Sequence, residues 1–250
     1  MSLCQNTSLP ANYCPVCQTS GQVFLPLSPF FWETAARHGF DCYEDCEMTP
    51  LDTYSCSACG ASDRERLYAW WFNEQIRQGR LTSSSRIVHF APEAAFSAYI
   101  QSLRLFTSYK TADLMMEGVD YNLDLMQIAL PDASVDCFLC SHVLEHVPSD
   151  RVAAKELYRI TASGGFGLLM VPIAVGLERT REDPTAVTEA DRWKLYGQGD
   201  HVRLHAKKDF IDCITSAGFR VQELTWRHFG AKFYKRLGLK PTSTLYIAEK

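Results

Sequence analysis

The stretch PDASVDCFLCSHVLEHVPSDRVAAKELYRITASGGFGLLMV, residues 131–171, decides the fold. Behind the turn-forming Pro131-Asp132, Val135 and Cys137 to Cys140 form a short apolar run, the pattern of a parallel strand buried on both faces. Ser141, His142, Glu145 and His146 crowd polar groups just past its carboxyl end, where open α/β sheets bind ligands. Glu145 and His146 are expected in a short helix there, in local capping and packing. Ser149 and Asp150 are start signals for the next helix, whose Ala153, Leu157 and Ile160 repeat at the spacing of one buried face. Gly164-Gly165 is expected to end that helix and Phe166 to Val171 to form a second buried strand. Strand, helix and strand make a right-handed crossover.

The chain has 250 residues, of which 46% are apolar. That length allows one large α/β domain plus a small appendage. A net charge of −4 gives no global electrostatic ground for nucleic-acid binding. No apolar run approaches the roughly 20 residues that span a bilayer, so no membrane association is expected. Residues 1–10, MSLCQNTSLP, lack the charged and apolar regions of a secretion signal. The expected compartment is the cytoplasm, where the ten cysteines are thiols or metal ligands rather than disulfides.

Cys14-x2-Cys17 and Cys56-x2-Cys59 are two units whose spacing can present two thiolates each to one tetrahedral zinc. The stretch between them exceeds the usual ribbon loop of about 15–20 residues and must carry structure of its own, around Phe30, Phe31 and Trp32. Cys42 and Cys46 lie inside it and are the alternative ligands. Cys137, Cys140 and Cys213 fall on buried elements and read as core. A closed four-thiolate site leaves no open position, so its expected role is structural. Ser62 and Glu65 have capping-box spacing and open a helix to Gln75, with Leu67, Tyr68, Trp71, Phe72 and Ile76 as its apolar stripe. A polar linker then sets a boundary near residue 80: a zinc-ribbon-like module in 1–80 and the main domain in 81–250.

Arg86 to Phe90 reads as a buried strand and Ala91-Pro92-Glu93 as the start of a helix. The turn between them lacks G-x-G-x-x-G, which argues against a dinucleotide but not against a cofactor without phosphate. The second strand ends at Asp113, where a carboxylate can accept both ribose hydroxyls. Asp124 is placed to bond an adenine amino group, with Leu125 against the ring.

On these residues the chain resembles the class I S-adenosylmethionine-dependent methyltransferases of the type 11 kind. The carriers are HFAPE in place of the glycine motif, Asp113, LPDASVDCFLCSHVLEHV with its helix, and the SGG turn before Val171-Pro172. The resemblance spans about residues 86–250 and implies a seven-stranded, mostly parallel Rossmann-like sheet. C-P-x-C followed by C-x-x-C-G-A-S-x-R-x-R is similar to a small zinc-binding module found ahead of some members. The usual acid at the end of the first strand aligns with His89, and the usual glycines with Ala91, Glu93 and Ala95. By carry-over, Phe90, Ala91 and Glu93 line the methionine end of S-adenosylmethionine, while Ser141 and His142 close its pocket, with His142 either a wall residue or beside the methyl group.

Residues 173–208 form a polar insert, too polar for a core element and too long for a connector, hence a lid. Its end, Tyr196 to His205, is the candidate acceptor site. Trp193 and Tyr196 are expected to stack on a ring, Arg203 to bind a carboxylate or phosphate, and His201 to deprotonate a hydroxyl. The expected reaction is O-methylation of a small metabolite or sugar-containing acceptor. Two rivals remain: an RNA methyltransferase using Arg64, Arg66, Arg77, Arg80 and Arg86 on phosphates, and a catalytically silent cofactor-binding protein.

Overall fold

The structure, a computed structural model, describes residues 12–250. Its centre is a sheet of seven strands: β1 (Arg86–Phe90), β2 (Ser108–Asp113), β3 (Tyr121–Asn122), β4 (Val135–Ser141), β5 (Thr161–Met170), β6 (Arg220–Leu224) and β7 (Leu245–Glu249). They lie in the order 3-2-1-4-5-7-6, and β7 alone runs against its neighbours. β4 sits in the middle, paired in parallel with β1 and β5. Its Cys137 to Cys140 are 0–1% exposed, as an apolar run without alternation requires of a strand covered on both faces. The helices are α1 (Pro29–Arg37), α2 (Asp63–Arg77), α3 (Ala94–Ser102), α4 (Asp150–Ile160), α5 (Glu189–Tyr196), α6 (Lys207–Ser216), α7 (Trp226–Phe229) and α8 (Ala231–Leu237). None among the described residues is long and apolar enough to cross a membrane.

The expected helix stop at Gly164-Gly165 is wrong in position. α4 ends at Ile160, where Thr161 already has extended backbone (φ −72°, ψ 132°), and the glycines lie inside β5, beside a register shift against β4. Gly164 takes a left-handed φ of +76° with open space around it, whereas Gly165 allows close strand approach. A Cβ on Gly165 would stand 2.9 Å from the Ala162 carbonyl oxygen and 3.0 Å from that of Asp136. One on Gly167 would enter the Phe138 ring.

The capping box at Ser62 and Glu65 forms as expected, and Glu65 also accepts from the Phe96 amide (3.1 Å), tying α2 to α3. Arg66 is fully buried and donates to the carbonyls of Leu237, Tyr54, Ala61 and Thr53 at 2.7–2.9 Å. One guanidinium thereby joins α2, the cysteine segment and the end of α8. Cys14, Val16, Phe24 and the α2 stripe share one apolar core with the sheet.

The insert differs from its expected character. Trp193, Tyr196 and Leu204 are buried with Ala35, Phe40 and Ala174 in a second apolar cluster, against which Phe31 and Tyr43 pack. Only one turn of α5 turns inward. A stripe so short disappears in a mostly polar segment, which is why composition alone placed the insert outside any core.

Candidate active site and cysteine cluster

The candidate cofactor edge is the set of carboxyl ends of β1, β2 and β4. Phe90 closes β1 and is buried. Ala91 follows with φ +46°, its amide donating to Ala112 O at 2.8 Å. Beside it, at the end of β4, His142 has φ +56° and its amide donates to Met170 O at 2.9 Å. A left-handed backbone costs a non-glycine residue about 1–2 kcal/mol, and two such residues on neighbouring strands mark a site that holds strain. Ala91 therefore keeps a glycine-type conformation where the resembled family has glycine.

Around this turn, His89 bridges Tyr109 Oη (2.8 Å, from Nδ1) and Glu93 Oε2 (2.9 Å, from Nε2). Glu93 Oε1 lies 3.6 Å from Arg64 Nε, and neither of those atoms has a hydrogen-bond partner among the described residues. Burial pushes the Glu93 carboxyl up, but the His89 hydrogen bond and the charges of His89 and Arg64 outweigh it and leave it near 2. Ser141 is buried and shares a 3.0 Å hydrogen bond with Tyr68 Oη. Asp113 Oδ1 accepts from the Met115 and Met116 amides at 2.7 and 2.8 Å, so Oδ2 is the oxygen turned to other use. Asp124 is exposed and its Oδ1 accepts from the Met126 amide (2.8 Å), with Leu125 buried next to it.

Next to His142 opens a cavity of about 280 Å³, lined among others by Phe31, Tyr43, Tyr54, Arg64, Pro172 and Tyr196. Its polar floor is His142, Glu145, His146 and His201. Residues 144–146 form a turn rather than the expected helix. That turn sends Glu145 inward, fully buried. His142 Nδ1 stands 3.2 Å from Glu145 Oε1 and His146 Nε2 3.9 Å, yet neither carboxylate oxygen has a partner with hydrogen-bond geometry among the described residues. Burial pushes Glu145 up, while His142 and then His201 and His146 bring it down to about 2. His201 is 3% exposed. Burial lowers it, the Glu145 charge opposes this, and the result is about 4, so its ring is neutral at pH 7.

Arg203 does not reach the cavity. It is 3% exposed and donates to the carbonyls of Leu144 (2.5 Å), Val147 (2.7 Å) and Pro148 (3.2 Å) as well as to Glu182. A guanidinium so engaged holds the turn that carries Glu145 and has no fork left for an acceptor. Trp193 likewise stacks on His38 at 6.2 Å within the lid cluster, whereas Tyr196 does line the cavity. Tyr43, Tyr54 and Arg64 carry no local signal as cavity residues, because they meet His142 only through a fold that brings together residues roughly 80–100 positions apart. Glu145 and His146, expected to cap and pack a short helix, instead lie in this turn and line the cavity.

The sulfurs of Cys14, Cys17, Cys56 and Cys59 all lie within 4.8 Å of one another, with Cys14 to Cys59 at 3.7 Å and Cys17 to Cys56 at 3.9 Å. Cys42 and Cys46 stand apart, the first on Asp41 and the second on the Cys42 carbonyl. The five arginines of the RNA reading are engaged: Arg66 on carbonyls, Arg77 on Glu74, Arg80 on Glu249, Arg86 on Asp136, and Arg64 beside Glu93.

The seven-stranded, mostly parallel sheet with its ligand edge defines a class I, Rossmann-like methyltransferase fold. Residues 104–169 match the family model of a methyltransferase domain. No curated protein matches the chain. Similar solved structures include the YcgJ protein of Bacillus subtilis, at 13% identity and TM-score 0.45, covering 71% of this chain and 97% of that one. An S-adenosylmethionine-dependent methyltransferase of Mesorhizobium loti matches at 14% and 0.46 (69% and 95% covered). One from Archaeoglobus fulgidus matches at 13% and 0.46 (76% and 95%).

Proposed function

We propose that the protein methylates a hydroxyl oxygen of a small, sugar-containing acceptor held in the cavity beside His142, using S-adenosylmethionine. The observation that carries this reading is the junction of two surfaces: the strained Ala91 and His142 edge on one side, and an aromatic-walled cavity with a carboxylate and three imidazoles on the other. A volume of about 280 Å³ lies at the small end for small-molecule sites.

The residues fit the cofactor. Asp113 Oδ2 is the acceptor for its ribose hydroxyls, Asp124 faces the adenine amino group and Leu125 the ring. Glu93 Oε1, buried and without a partner among the described residues, meets the ammonium of the methionine end, with Phe90, Ala91 and Ser141 as walls. S-adenosylmethionine supplies an electrophilic methyl group on a sulfonium, so the protein's task is alignment of the acceptor oxygen and exclusion of water. Tyr43, Tyr54 and Tyr196 orient and cover the acceptor. His142 and His201, whose ring is neutral at pH 7, are the groups that take the hydroxyl proton.

The four cysteines hold a structural zinc in this reading. Tetrahedral coordination with Zn–S near 2.3 Å separates sulfurs by about 3.8 Å, close to the two spacings found. Calorimetry on zinc-loaded protein tests the cofactor: saturable binding of S-adenosylhomocysteine is expected, and its absence favours the silent scaffold. Isotope-labelled methyl groups recovered as ethers on sugar hydroxyls are the expected product; methylation confined to nitrogen would overturn the acceptor assignment.

A further inference from the structure

We infer that Glu145, His146 and His201 form a binding site for a divalent first-row transition-metal ion on the floor of the acceptor cavity, separate from the cysteine cluster. Each offers one ligand atom, and these atoms all lie within 4.8 Å of one another. The Glu145 carboxylate is fully buried with both oxygens unpartnered among the described residues, as is Nδ1 of His201. Such a carboxylate, desolvated and short of donors, is costly unless a positive charge meets it.

The orientation of His146 is what a metal ligand needs. Its Nδ1 lies 3.3 Å from the Asp200 carbonyl oxygen and 3.6 Å from Asp200 Oδ2. A protonated Nδ1 is favourable there, and Nε2 is turned toward Glu145 Oε1, 3.9 Å away, where its lone pair is available to a metal ion in the neutral ring. A backbone carbonyl fixing the far nitrogen is the usual outer-shell support of a ligating imidazole. Two lone-pair donors facing each other across 3.9 Å repel without a cation between them. The His146 and His201 rings meet edge to face at 4.8 Å, so the second imidazole borders the same point. Two nitrogens and a carboxylate suit Zn²⁺, Co²⁺ or Fe²⁺ rather than Mg²⁺ or Ca²⁺, and leave positions open toward the cavity.

A consequence for chemistry, which rests on the methyl-transfer reading, is that an acceptor hydroxyl on the ion becomes acidic. His201 is then a ligand, and His142 is the ring left to take the proton. Ion binding itself does not rest on that reading and is measured without turnover.

The test is a Co²⁺ titration of full-length protein carrying one zinc per chain, bound at the cysteines, followed by visible absorption. The expected result is one saturable set of ligand-field bands per chain without the sulfur-to-cobalt charge-transfer band that exchange at the cysteines produces. Glu145→Gln and His146→Ala should each weaken the titration at least tenfold. The half-exposed His146 makes the second variant safe for folding, and an unchanged melting temperature without cobalt verifies this. No saturable bands, bands only with sulfur charge transfer, or a titration unchanged in folded His146→Ala overturns the site.

Discussion

The two halves of the active site are built by different means. The proposed cofactor half is made at the ends of three adjacent strands, by residues each a short step in sequence from its strand. The acceptor half is assembled from side chains that come from the segment between the cysteine pairs, the turn after β4 and the lid. The first is as rigid as the sheet. The second depends on how well distant pieces are held, and the four sulfurs clasp both ends of one of those pieces. The difference implies that the halves fail separately.

Removal of the zinc proposed at the cysteines is the strongest way to break that comparison. Cys56→Ser, or exhaustive chelation, frees the segment that carries Phe31, Tyr43 and Tyr54. Methyl transfer should fall about 1,000-fold, since structural zinc contributes folding free energy directly, while S-adenosylhomocysteine affinity should stay within a few-fold. Metal analysis, turnover and calorimetry on the same sample decide it. If cofactor affinity collapses in parallel, the halves are one unit.

Acid sharpens the cofactor half. Glu93 is held near 2 against an ordinary value of 4.5, so its folded-state pKa lies below the unfolded one. Its stabilisation is therefore complete above pH 4.5 and is lost as pH falls toward 2. The shift corresponds to at most about 3 kcal/mol. Unfolding by denaturant at pH 5 and pH 3 should show roughly half of that loss in the natural protein and a smaller one in Glu93→Gln, a difference that cancels acid release of zinc. Equal slopes for both would mean that the His89 bond contributes little.

These contrasts also explain what was legible in the sequence. β4, α4 and Asp113 follow from local periodicity, because buried strands and amphipathic helices write their environment into consecutive residues. The cysteine cluster was legible for the same reason, each half being three residues apart. Glu145 was not: its meaning depends on Arg203, 58 positions later, gripping the carbonyls of residues 144, 147 and 148. Arg203 itself looked like a substrate ligand because a fork of donors in a polar loop has no visible partner in sequence. Only the fold shows that main-chain carbonyls occupy it.

Asp113→Ala gives a smaller and more specific effect than either of the above. With its Oδ2 on the ribose, as proposed, the substitution should weaken S-adenosylhomocysteine about tenfold, the value of one hydrogen bond to a charged group. The acceptor KM, measured at saturating cofactor, should not move. A change in KM without a change in cofactor affinity would transfer Asp113 to the acceptor half.

Ala91→Gly carries the smallest effect, and an unusual sign. At φ +46° alanine holds a conformation that glycine enters without penalty, and relief of the left-handed cost is about 1–2 kcal/mol. Against it stands the greater freedom that glycine has in the unfolded chain, about 0.4–1 kcal/mol. The balance favours glycine by up to about 1.6 kcal/mol, so the variant should melt slightly higher, or at the same temperature, where most alanine-to-glycine changes lower it. Differential scanning calorimetry reads the sign directly. A clear loss of stability would mean that the Ala91 methyl packs well enough to outweigh the strain, and that the turn after β1 is maintained by side-chain contact rather than by tolerance of a left-handed backbone.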